Sequence, residues 1–86
     1  MYNYEVEKAE IFSEQGQKSF LEIRDKVKNI LAKSGAITMD KAISDMTGIN
    51  WFHMACVDRL VELKELKEIS QENVAGQNRI FVLPFN

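Results

Sequence analysis

The apolar residues between Gln17 and Lys33 fall at Phe20, Ile23, Val27, Ile30 and Leu31, three or four residues apart. That spacing lays them along one stripe of an α-helix and predicts the surest helix of the chain. Lys33 lies in its last turn, where a cation meets the negative end of the helix dipole, and Gly35 is placed to close it in the left-handed conformation. Ala36 and Ile37 then offer a very short extended piece. Thr38 is placed to cap a second helix, with Asp40 in its first turn and Ile43 and Met46 as its buried edge. Gly48 is expected to stop this helix after about nine residues. Asn50 caps a third helix running to around Lys64, because nothing between Trp51 and Glu65 breaks it.

Two short runs follow, LKEIS and RIFVLP, with β-branched or aromatic content. The polar, glycine-bearing QENVAGQN between them suits a hairpin loop. Leu66 and Ile69 fall three apart, so strict alternation fails and a bulge is expected in the first strand. Upstream, residues 1–15 carry conflicting signals. Tyr2, Tyr4 and Val6 alternate as in a strand, whereas Glu5, Glu7, Lys8, Ala9 and Glu10 are good helix formers. This stretch reads as an N-terminal arm with room for a short helix, ahead of a domain over 16–86. Its tyrosines need a surface to pack on, either the domain or a second copy.

The totals narrow the choice of function. Eighty-six residues bury one modest core, which leaves no room for a separate substrate domain. Apolar residues at 45% and charged residues at 28% describe a folded domain rather than a disordered chain. A net charge of −2, from 13 acids against 11 bases, supplies no overall attraction to a phosphate backbone, so any nucleic-acid contact must come from a local patch. Cys56 is the one cysteine and His53 the one histidine, too few for a disulfide or a protein zinc site, so no metal or cofactor is expected. No nucleophile–base spacing or phosphate-cradling loop suggests an enzyme. With no apolar run near the ~20 residues of a membrane span and no secretory signal in MYNYEVEKAE, the expected location is cytoplasmic.

The order helix, short strand, helix, turn, helix, hairpin, with TGIN between the second and third helices, resembles the winged helix-turn-helix superfamily over about residues 17–85. The positions that carry the resemblance are Ile43, Ser44, Gly48, Ile49, Met54 and Val57. Glycine at the turn supplies positive φ without steric cost, and a small residue before it lets two helices cross closely. Two positions depart from the pattern. Thr47 stands where an apolar residue is usual, and Lys64 where many relatives place the glycine that closes the third helix. The fold class implied is α+β, mostly α, a winged helix-turn-helix of three helices with a C-terminal β-hairpin wing. The resemblance further implies a small transcription regulator that binds double-stranded DNA, with the third helix in the major groove and the wing on the backbone.

On a helical wheel, Phe52, Cys56, Leu60 and Leu63 make one apolar face of the third helix, and Met54, Val57 and Val61 make another. Trp51 and Ala55 are expected near solvent, with Asp58, Glu62 and Arg59 beyond them. Base-edge readout needs Arg, Lys, Asn or Gln, and Asn50, His53 and Arg59 are the candidates there. Trp51 is placed to stack on a base or to anchor an interface. Lys41, Lys67 and Arg79 are the best phosphate contacts, with Gln77 and Asn78 in the wing loop. Two readings stand side by side. One is a DNA-binding regulator, expected to be a homodimer. The other is a protein-interaction module that binds no DNA and uses Trp51, Phe52 and Ala55, with Tyr2 and Tyr4 as further interface residues.

Overall fold

The computed structural model describes residues 1–44 and 50–84. The arm is helical. Asn3 caps α1 (Tyr4–Glu7) by accepting the Glu5 N–H at 3.0 Å, and a 3-10 turn, Lys8–Phe12, carries the chain on to Ser13. Ser13 then caps α2 (Glu14–Ser34): its hydroxyl accepts the Gly16 N–H at 3.0 Å and donates to the Glu10 carbonyl at 2.8 Å. The helix therefore starts at Glu14, six residues before Phe20 opens the apolar stripe, because the cap sets its start.

The stripe itself is buried at Phe20, Ile23, Val27 and Leu31, with Ile30 half-buried at its edge. Gly35 closes α2 as its sequence position predicts, at φ 80° with its N–H on the Leu31 carbonyl at 3.0 Å. Strand β1 (Ile37–Thr38) leads into α3 (Met39–Ile43), which Thr38 caps by accepting the Lys41 N–H. This helix is shorter than its sequence predicts, because Ser44 turns to an extended conformation at ψ 154°. Met46, Thr47, Gly48 and Ile49 lie outside the described residues.

Helix α4 (Asn50–Glu62) supplies Ala55, Cys56, Val57 and Leu60 to the core. It ends in a left-handed cap with lysine in the glycine position: Lys64 has φ 64°, its N–H bonds to the Val61 carbonyl and the Glu65 N–H bonds to the Leu60 carbonyl. Strands β2 (Lys67–Glu68) and β3 (Ile80–Val82) follow, and the three strands form an antiparallel sheet in the order β1-β3-β2. Ile37 pairs with Phe81 and Glu68 with Phe81 from the other side, which centres the buried Phe81 ring on the sheet. The expected bulge does not occur. Pairing runs regularly from Lys67–Val82 through Glu68–Phe81 to the Ile69 N–H on the Ile80 carbonyl, and Ile69 is left half-exposed instead.

The core lies between α2, α3, α4 and the sheet, and the arm adds the fully buried Ile11 to it. Gly16 makes that docking possible: a Cβ there would sit 1.9 Å from the Glu10 carbonyl oxygen. Among the described residues, no helix is long and apolar enough to cross a membrane.

Candidate functional site

Residues Trp51, Ala55, Asp58 and Glu62 recur at three- and four-residue steps along one side of α4. The arm crosses this side. Tyr2 donates its hydroxyl to Asp58 Oδ2 at 2.5 Å, and Tyr4 donates to Glu62 Oε1 at 2.6 Å. Lys8 Nζ meets Glu62 Oε2 at 2.9 Å. The Phe12 ring lies 5.2 Å from the Arg59 guanidinium carbon. Ala55, on the same side, has no exposed surface.

Arg79, the residue just before β3, locks the hairpin to the same place. Its guanidinium meets Asp58 Oδ1 at 2.7 Å, Glu68 Oε1 at 2.7 Å through the same nitrogen, and Glu68 Oε2 at 2.9 Å through Nε. Ser70 donates to Glu68 and accepts the Ile80 N–H. Asp58 thus joins the arm, α4 and the hairpin through one carboxylate. These contacts hold protons and charges in place. Burial and the Asp58 hydrogen bond raise the Tyr2 phenol well above its ordinary value, and burial with the Glu62 hydrogen bond does the same for Tyr4. Hydrogen bonds from Tyr4, Lys8 and Arg59 hold the Glu62 carboxyl at about 2.

The residues expected to read DNA are dispersed or occupied. His53 is 3% exposed and turned into the core, where burial lowers its pKa and Nδ1 has no hydrogen-bond partner among the described residues, so it cannot reach a base. Arg59 is ion-paired to Glu62 at 2.8 Å one helical turn away, and Arg79 is held by two carboxylates. Neither offers the open guanidinium fork that guanine requires. Lys41 on α3, Lys67 on β2, and Gln77 and Asn78 in the 3-10 turn Gly76–Asn78 are exposed, on three separate elements. The Asn50 side chain lies outside the described residues.

On the interface side, Trp51 is 42% exposed. Phe52 is partly buried against the core and lines a pocket of about 300 Å³ with Val6, Glu7, Ala9 and Glu10 of the arm. Ala55 leaves the interface set, because it is fully buried. Tyr2 and Tyr4 pack on their own domain. Cys56 is fully buried, which pushes its thiol up to about 12, far from a reactive thiolate. Among the described residues, no three His, Cys, Asp or Glu side chains gather as a metal-binding group.

Sequence reasoning passed over Ile11 and Gly16, and placed Asp58 and Glu62 only on the solvent side of the third helix. A signal was available: two tyrosines two apart in the arm answer two carboxylates four apart, one turn, on α4. No protein-family model matches the chain, and no curated protein or solved structure matches it.

Proposed function

We propose that this chain is a protein-interaction module of the winged-helix type that binds no DNA and presents Trp51 and Phe52 at the amino end of α4. The architecture is supported by the element order, with a helix, a strand, two helices and a hairpin in turn, and by the strand order β1-β3-β2. The observation that carries the function is the closure of the outer side of α4 by the arm.

In this reading DNA would have to displace the arm before reaching α4. Exposing Ile11 costs roughly 1.5–3 kcal/mol, and losing the Tyr2–Asp58 hydrogen bond about 1 kcal/mol more. A cost of about 3 kcal/mol weakens binding about 100-fold, and non-specific duplex affinity starts at only ~10⁻⁴–10⁻⁶ M. The surface thus uncovered carries Asp58 and Glu62 towards the phosphates, which repels them.

Anisotropy of a labelled duplex of arbitrary sequence, titrated at low and moderate salt, tests the proposal. No saturable binding is expected at either salt up to about 100 μM protein. Micromolar binding that collapses as salt rises would refute it.

A further inference from the structure

Building on the protein-interaction reading, we infer that the pocket between the arm and α4 receives a basic amphipathic helix of a partner protein, with one large apolar side chain seated against Phe52. The pocket holds about 300 Å³ and has Phe52, Val6 and Ala9 as apolar walls. Val6 is 68% exposed and has no other evident use on the surface of the domain. Trp51, the residue just before Phe52 on α4, adds a second exposed aromatic ring to this end of the helix. A notch of this kind between two helices takes an apolar anchor from a third.

The charge around the notch selects the partner. Glu7 and Glu10 line it, and Glu5 and Glu14 lie on either side along the arm. Among the described residues none of these four carboxylates is in an ion pair, while the nearby cations Lys8 and Arg59 are both committed to Glu62. The rim is therefore acidic and uncompensated, and it complements lysine or arginine flanking the anchor. A second copy of this chain fits poorly, because a two-fold contact would set Glu7 and Glu10 against carboxylates of the same patch.

The test uses the full chain and a synthetic peptide without tryptophan, two turns of leucines at i and i+4 among lysines, with Trp51 fluorescence as the readout. Two control peptides accompany it, one with the leucines replaced by serine and one with the lysines replaced by glutamate. The lysine–leucine peptide is expected to bind at least ten-fold more tightly than either control. The double variant Glu7→Lys/Glu10→Lys, checked for unchanged circular dichroism, is expected to weaken it at least ten-fold, and Val6→Ser about three-fold.

Equal binding of the glutamate peptide, or unchanged binding by the double variant, would overturn the inference. Sedimentation showing a dimer that Glu10→Lys disrupts would also overturn it, by giving the notch to a second copy. Duplex binding measured on the same sample would overturn the functional reading as well. Failure of the lysine peptide with no duplex binding would overturn this inference alone.

Discussion

Replacing Gly16 by alanine separates two opposed effects whose sizes can be compared. In an ordinary helix the change stabilises, because alanine is favoured over glycine by about 1 kcal/mol. Here the added Cβ would lie 1.9 Å from the Glu10 carbonyl oxygen, 2.9 Å from the Glu10 carbonyl carbon and 2.9 Å from Ser13 Oγ. The nearest atoms are backbone, so no rotamer change relieves the contact, and the arm must retreat by more than an ångström. Overpacking of this kind costs about 1–3 kcal/mol, and disturbing the Ser13 cap about 1 kcal/mol more.

The net effect is a loss of about 1–3 kcal/mol, which for a domain of this size lowers Tm by roughly 5–20 °C. Thermal unfolding followed by circular dichroism measures it, with Lys18→Ala on an exposed position of the same helix as the control, expected within about 0.5 kcal/mol of wild type. A Gly16→Ala protein as stable as wild type, or more so, would refute the tight docking of the arm on α2.

Lys64→Gly should do the reverse and raise stability by about 1 kcal/mol, because it relieves a left-handed residue at φ 64° without removing any of the hydrogen bonds that close α4. Urea unfolding checks this, and a destabilised variant would contradict the cap. His53 should make stability depend on pH. Its folded-state pKa lies below the ordinary 6.5, so the native core refuses a proton that the unfolded chain accepts. Stability should hold above about pH 6.5 and fall as pH drops below it, and His53→Phe should flatten that slope between about pH 7 and 5. The carboxylates Glu62, Glu65 and Glu68, whose pKa values are lowered, act in a separate window below 4.5. Stability that rises on acidification from pH 7 to 5 would contradict the burial of His53.

What could be read along the chain was the chemistry carried by neighbours in sequence. The apolar stripe of α2, its Gly35 terminus, the Thr38 cap and the pairing of the two C-terminal strands all depend on residues a few positions apart. The site was harder because its geometry is set by contacts across 56 and 58 residues, from Tyr2 to Asp58 and from Tyr4 to Glu62. A wheel drawn for α4 alone leaves Ala55 in solvent. In the folded chain Ala55 is fully buried, and the arm and the hairpin both reach that side of α4, at Asp58. Arg79 misled for a similar reason. Its position in the hairpin suits a phosphate contact, but Asp58 and Glu68 converge on it from different elements. The short α3 had no local stop signal at Ser44.

Both tyrosines of the chain lie in the arm, so a spectrophotometric tyrosine titration of the intact protein reports directly on whether the arm closes α4. A free phenol is half-ionised at its ordinary value of 10.0. With both hydroxyls donated to carboxylates, neither tyrosine should ionise appreciably at pH 10, and absorbance at the phenolate band should rise only at higher pH or on unfolding. A two-tyrosine transition centred near pH 10 in the folded protein would mean that the arm stands away from α4, and that the helix is open to DNA.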